Sequence, residues 1–214
     1  NMKPSWMAGM SDLSRDIRSR GHYQIVIRPR SYADERLKYG DLLPVLQRCT
    51  VLLGGWPFPF IGSREVIQNL RDSIRQEEAW EAHREIWRFY QSGQFAFLGA
   101  IAEDWSQQVS QTVPPRVSRD ALALGCYDVV TRCARAYELA ARLSNTEAGD
   151  SAMCISVGLR KMVGRKLYME NPARSLAGEY ETQMPDYHSE VIVQRDELLA
   201  RPRDFAIEAA RDIF

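Results

Sequence analysis

The longest amphipathic segment of the chain, from Ser118 to about Ser144, limits the folds that the sequence can adopt. Ser118 follows two prolines and is a favourable N-cap residue. Apolar side chains then recur at helical spacing and predict a buried stripe, formed by Leu122, Cys126, Val129, Val130, Cys133, Tyr137 and Ala140. Because such a stripe must be covered, we expect this helix to pack on a sheet.

Segments rich in β-branched and aromatic residues lie on both sides of this helix and predict strands. We expect strands at 23–28, 50–53, 153–159, 165–169 and 190–193, and a hairpin within 85–101 that turns at Ser92 and Gly93. Short helices are predicted at 12–20 and 42–48, and a closing helix at 203–214. Without regular βαβ alternation, this order predicts an α+β fold. A mainly antiparallel sheet would be covered by the long helix (118–144) and the C-terminal helix.

The expected organisation is one α+β domain at 23–214, preceded by a polar and mobile N-terminal segment at 1–22. Basic and acidic residues number 28 each, so no net charge attracts the chain to nucleic acid or to anionic lipid. No run is apolar enough for a membrane span or a signal peptide, which predicts a cytoplasmic protein without a membrane partner. The 4 cysteines include no CxxC pair, so we expect free thiols.

Catalytic signatures are missing from the sequence, which favours a non-enzymatic function without catalytic residues, metal or cofactor. The segment 158–166 has the wrong spacing for a phosphate loop, and the His-x-Glu pairs at His83 and His188 lack the cysteine ligands of zinc deaminases. Carboxylates are concentrated in two places, at Glu77, Glu78, Glu81 and Glu85 and at Glu103 and Asp104. We interpret them as solvated, although a general acid/base pair or a metal-dependent hydrolase or nuclease site is an alternative.

Aromatic residues are concentrated in the first half of the chain. Core packing explains many of them, but tryptophan and tyrosine also contribute strongly to binding surfaces. The unusual run GlyGlyTrpProPhePro at 54–59 is the first place to look. We predict an aromatic surface or pocket formed by Trp56, Phe58, Trp80, Trp87 and Tyr90.

A second candidate surface is basic. The predicted strands at 153–159 and 165–169 would form a hairpin with four positive charges at its turn: Arg160, Lys161, Arg165 and Lys166. Side chains of this kind can contact phosphates one by one, while a solvated turn is the alternative.

Three motifs give the chain a family resemblance: IleArgProArg at 27–30, GlyTrpProPhePro at 55–59 and IleTrpArgPheTyrGlnSerGlyGlnPhe at 86–95. They resemble a group of uncharacterised bacterial proteins with the patterns GlyTrp-x-(Phe/Tyr)-Pro-His and TrpArg-x-TyrGlnSerGlyGlnPhe. In that comparison Phe60 stands in place of a histidine, and Phe97 is a candidate for a second such replacement. The resemblance implies a bacterial cytosolic setting and no particular activity.

The leading hypothesis is a binding or protein-interaction module, one component of a multi-protein bacterial system, with the aromatic segment as its contact surface. The second hypothesis is a nucleic-acid-binding protein that uses the basic hairpin. The third is a metal-dependent hydrolase or nuclease with dispersed carboxylates.

Overall fold

The computed structural model describes residues 11–108, 122–171 and 173–214, and most of its strands belong to one antiparallel sheet. In chain order the strands are β1 (His22–Pro29), β2 (Val51–Leu53), β3 (Trp56–Phe58), β4 (Gln68–Asn69), β5 (Ser73–Trp80), β6 (His83–Tyr90), β7 (Phe95–Ala100), β8 (Ala123–Gly125), β9 (Ala152–Arg160), β10 (Lys166–Tyr168) and β11 (Asp186–Gln194). The helices are α1 (Asp12–Ser19), α2 (Leu42–Cys49), α3 (Cys126–Ser144), α4 (Arg195–Ala200) and α5 (Pro202–Ile213).

The main sheet has 7 strands in the order β11-β9-β1-β7-β6-β5-β4, and every neighbouring pair is antiparallel. β2 pairs with β3 as a separate hairpin, and β8 pairs in parallel with β10. The predicted α+β class with a mainly antiparallel sheet is therefore confirmed.

The helix that covers the sheet, α3, has 19 residues and begins at Cys126. The expected N-cap Ser118 lies outside the described residues, and Leu122 is exposed and precedes β8. Four residues of the predicted stripe are buried, Val129, Cys133, Tyr137 and Ala140, whereas Val130 is 43% exposed. Apolar residues occupy two adjacent columns of the helix, so periodicity alone did not decide which column faces the core.

The opposite face of the sheet carries α1. Ser11 caps this helix, since its side chain accepts a hydrogen bond from the Ser14 N–H at 3.2 Å. Ile17 of α1 packs in a second small core with Leu98 and Trp105. The short helix predicted at 12–20 is confirmed, and residues 11–22 lie packed against the sheet; residues 1–10 of the predicted mobile segment lie outside the described part of the chain.

The hairpin predicted within 85–101 is confirmed as β6 and β7. Its turn places Gly93 at φ +82°, and the Gly93 N–H donates to the Tyr90 carbonyl at 2.9 Å. A side chain at this position would also collide with the Ala148 carbonyl oxygen. Only glycine meets both requirements without strain.

The observed sheets differ from the sequence prediction in several strands, and the short strands β3, β4 and β8 were among those not predicted. β5 was not predicted, because its run of polar residues hides the alternation of buried Ile74 and Gln76 with more exposed neighbours. The hairpin expected between 153–159 and 165–169 is not formed, since β9 pairs with β1 and β11, whereas β10 pairs with β8. Among the described residues no helix is both long and apolar enough to cross a membrane.

Candidate protein-binding surface

Side chains of α3 hold the hairpin of β2 and β3 against that helix by bonding to its backbone. Gly54 and Gly55 form its tip with φ of +67° and +78°. A Cβ on Gly54 would lie 3.0 Å from the Tyr127 hydroxyl, so glycine allows the tip to approach the helix. Arg135 donates from Nε and Nη2 to the Leu53 carbonyl at 3.1 and 2.6 Å, and Arg142 donates to the Thr50 carbonyl at 2.6 Å. The two arginines fix the hairpin on the helix.

An open groove of about 350 Å³ lies between this hairpin, α3 and α5, and we call it the hairpin groove. Its lining residues are Val51, Leu52, Leu53, Val130, Ala134, Glu138, Arg142, Arg203, Ala206 and Ile207. Four large apolar side chains of the lining are exposed, Leu52 at 74% and Leu53, Val130 and Ile207 at 40–46%. Contiguous exposed apolar surface of this kind is typical of a site that binds a partner or a ligand.

Three charged side chains, from α3 and α5, line the hairpin groove. Arg142 donates to Glu138 at 3.1 Å, so their charges compensate each other. Arg203 is exposed, and within the described ranges it has no carboxylate partner. The groove is therefore apolar with one uncompensated positive charge at its rim.

An aromatic stack lies on the other strand of the same hairpin. The Trp56 ring stacks on Trp80 at 6.0 Å and on Phe60 at 5.3 Å between centroids, and it lies 4.6 Å from the His83 ring. Trp80 is the outermost member and is 54% exposed. Because Trp80 and His83 face each other across the end of β5 and β6, the pairing of these strands brings them to the same side of the sheet as Trp56.

A buried carboxylate supports the stack from below. Glu85 is 1% exposed; its Oε1 accepts the Phe60 N–H at 2.9 Å and its Oε2 lies 3.1 Å from His83 Nε2. Arg132 is buried nearby: burial acts to lower its pKa, but the carboxylates of Asp128 and Glu85 outweigh this effect and the pKa is raised. The sequence interpretation of Glu85 as solvated is therefore wrong, because strand alternation turns it toward the core together with Trp87.

The five aromatic residues predicted as one surface are divided by the fold. Trp56 and Trp80 meet in the aromatic stack. Phe58, Trp87 and Tyr90 lie in the interior with at most 6% exposure, and the Trp87 indole donates to the Phe60 carbonyl at 2.7 Å. A binding surface that uses all five is not formed. The exposed residues of the groove were not predicted as a binding surface, because a short apolar strand such as β2 is ordinarily buried.

The four basic residues predicted as phosphate contacts are also divided. Arg165 is 1% exposed and makes a two-point ion pair with Asp104, whereas Arg160, Lys161 and Lys166 lie at the surface. Of the surface residues, Arg160 lies 3.5 Å from Asp186, Lys166 lies 3.3 Å from Glu179, and Lys161 donates to the Ser19 carbonyl at 3.0 Å. Arg165 is thus a core residue, Arg160 and Lys166 each have a carboxylate beside them, and Lys161 is bonded to a neutral carbonyl.

The dispersed carboxylates have structural partners as well. Glu103 accepts hydrogen bonds from the Tyr168 hydroxyl at 2.8 Å and from the Gly125 N–H at 3.1 Å, and burial raises its pKa. Glu170 accepts the N–H groups of Tyr127 and Asp128, both at 2.9 Å, and so caps the start of α3. In the part of the chain that the structure describes, no group of three or more potential ligands could hold a metal ion.

Comparisons of the chain with models of protein families, with curated proteins and with solved structures find no match.

Proposed function

We propose that this chain is a protein-binding module and that the hairpin groove receives an amphipathic helix of a partner protein. One observation carries the proposal: Leu52, Leu53, Val130 and Ile207 expose large apolar side chains around a single groove. Scattered exposed apolar residues need no explanation, but a contiguous set does.

The shape and charge of the groove favour a helix as the occupant. The groove has helices α3 and α5 in its walls, and a third helix can insert a row of apolar residues between such walls. Its volume of about 350 Å³ is at the small end of the range for ligand pockets, roughly 300–1,000 Å³, which suits a few anchoring side chains. The charge of Arg203 favours a carboxylate beside these anchors.

The proposed module extends to the aromatic stack, because one hairpin contributes to both. Leu53 lines the groove, and its cross-strand neighbour Trp56 belongs to the stack. Trp80 then offers an exposed indole at the far end of the stack, and large aromatic side chains contribute strongly to binding energy at interfaces.

The proposal is tested by site-specific photocrosslinking. A benzophenone amino acid replaces Leu52 in the groove, and in a control protein it replaces Tyr32, which is 82% exposed and is not a groove residue. We expect a crosslinked product of defined mass from position 52 alone, from which mass spectrometry identifies the partner.

The purified partner then supplies the decisive measurement. Val130→Asp places a charge in the groove and should weaken binding at least about tenfold, which corresponds to about 1.4 kcal/mol. Circular dichroism should be unchanged, since Val130 is exposed. The proposal is rejected if position 52 gives no product, or if the partner binds the Val130→Asp variant as tightly as the original chain.

A further inference from the structure

The main sheet ends in a long strand whose outer edge is open. β11 pairs with β9 through all 9 of its residues, from Asp186 opposite Arg160 to Gln194 opposite Ala152, without a bulge. On its other side β11 pairs with no strand of the described ranges. Open edges of this length are ready to pair with another strand, and proteins usually protect them.

The hydrogen-bond pattern identifies the residues of β11 that face outward. The Arg195 N–H donates to the Ser151 carbonyl at 2.8 Å, and this pair continues the register of the two strands. In an antiparallel ladder the bonded pairs alternate, so the odd-numbered residues of β11 bond to β9. The N–H and C=O groups of His188, Glu190 and Ile192 therefore point away from the sheet.

β11 itself lacks two residue types that usually protect an edge strand. β11 contains no proline and no lysine. Its two carboxylates have cations beside them on the sheet: Glu190 lies 3.4 Å from Arg28, and Asp186 lies 3.5 Å from Arg160. Ile192 is 55% exposed. The edge is apolar at one end and nearly neutral along its length.

The sequence of the strand is complementary to itself in one register. A two-fold antiparallel pair must place even-numbered residues opposite even-numbered ones, because these carry the outward groups. With Ser189 at the centre, His188 lies opposite the partner subunit's Glu190, and Tyr187 lies opposite the partner subunit's Val191. His188 Nε2 is bonded to the Ser156 hydroxyl at 2.9 Å, which leaves Nδ1 to bond with the carboxylate opposite. Pairs of an aromatic with a β-branched residue also stabilise sheets.

The neighbouring registers are less favourable. A pair centred on Glu190 would place two carboxylates directly opposite each other, and like charges in that position are destabilising. A pair centred on Val191 would place Glu190 opposite the partner subunit's Ile192 and would lose the pairing of His188 with Glu190. In the register centred on Ser189, Asp186 lies opposite the partner subunit's Ile192 at the end of the strand, and Arg160 is 3.5 Å from that carboxylate.

We propose that two copies of this chain associate through β11 in a two-fold antiparallel pair centred on Ser189, which joins the two sheets into one. This surface is distinct from the hairpin groove, so the proposal does not depend on the proposed function. Contact through one strand buries less than a standard interface of about 1,600 Å², so we expect a dissociation constant on the order of 10 µM.

Sedimentation velocity over a concentration range of about 1–200 µM, which brackets that constant, tests the proposal. The average mass of the sedimenting species should rise from 24.5 kDa, the mass of one chain, toward twice that value as the protein concentration increases. Glu190→Pro removes an outward N–H donor without removing a hydrogen bond to β9, and it should keep the chain monomeric.

A charge exchange tests the register. His188→Glu would place two carboxylates opposite each other and should weaken association at least about tenfold. Adding Glu190→Lys to His188→Glu places opposite charges across the pair and should restore most of the association. Thermal melting followed by circular dichroism checks that each variant is folded.

Three results would overturn the proposal: a chain that stays monomeric at the highest concentration, a dimer that survives Glu190→Pro, or a His188→Glu variant that associates like the original chain. Val130→Asp serves as the matched control in the hairpin groove and should leave the average mass unchanged. If Val130→Asp abolishes association instead, the groove is the interface between copies and the β11 proposal fails.

Discussion

The buried ion pair of Arg165 and Asp104 gives the sharpest test of the structure, because Arg165 and its neighbour Lys166 look equivalent in the sequence. In the fold the side chains of Arg165 and Asp104 are 1% and 5% exposed, and Nη1–Oδ1 and Nη2–Oδ2 are 2.8 and 2.5 Å apart. Asp104 also accepts the Gly21 N–H at 2.8 Å. Removing one partner of such a pair leaves a buried charge without compensation.

Asp104→Ala should lower the free energy of unfolding by about 3 kcal/mol. This value is at the lower end of the range of about 3–5 kcal/mol for broken buried pairs, because the guanidinium still donates to the carbonyls of Lys161 and Ala123. The loss is large beside the total stability of an ordinary domain, about 5–15 kcal/mol. Urea denaturation monitored by circular dichroism measures it.

A double-mutant cycle and an exposed control complete the test. The double variant Asp104→Ala with Arg165→Met should lose less free energy of unfolding than the two single variants lose together. The difference should be at least about 1.5 kcal/mol, because no uncompensated charge remains in the core. Glu179→Ala removes the partner of Lys166 at the surface, where both side chains are more than half exposed, and should change stability by less than about 0.5 kcal/mol. A loss below about 1 kcal/mol for Asp104→Ala, or a cycle without coupling, would show that Arg165 does not depend on Asp104 for compensation of its charge.

Three further predictions concern stability, all measured by urea denaturation. Val129→Asp should lower the free energy of unfolding by about 3 kcal/mol or more, and Val130→Asp by less than about 1 kcal/mol, because only Val129 is buried. Equal losses of stability for the two variants would reject the orientation of α3. Gly93→Ala should lower the free energy of unfolding more than Gly55→Ala does. Both glycines have positive φ, but only Gly93 lies against a carbonyl oxygen. Equal losses of stability would show that the turn avoids that contact. Burial raises the pKa of the Glu103 carboxyl in the folded state above its ordinary value of about 4.3. The free energy of unfolding should therefore fall as pH rises from the ordinary pKa through the raised pKa, because the carboxyl ionises more readily in the unfolded chain. Glu103→Gln should therefore gain stability relative to the original chain over that interval, and a difference that is constant with pH would contradict this.

The proposed binding surface overlaps the segment that the sequence singled out but uses partly different residues. The run GlyGlyTrpProPhePro is the tip and second strand of the hairpin that forms one wall of the groove. Trp56 and Trp80 belong to the surface, whereas Phe58 and Trp87 are in the core. Aromatic composition is the same for a surface and for a core, and only the face of each strand distinguishes them.

What the sequence determined by itself is local. Periodicity, turn residues and caps placed β1, α2, the β6–β7 hairpin and α5 within a few residues of their observed bounds, because each of these signals acts between neighbours in the chain. The antiparallel class also followed from the order of the elements.

Tertiary structure decided everything that depends on distant partners. It paired β9 with β11 instead of β10, turned Val130 outward while burying Val129, and placed Arg165 against Asp104, 61 residues away in the chain. Whether an arginine is a solvated charge or half of a buried ion pair depends on the environment that the folded chain builds around it. That environment is formed by contacts between residues far apart in sequence, which local patterns do not encode.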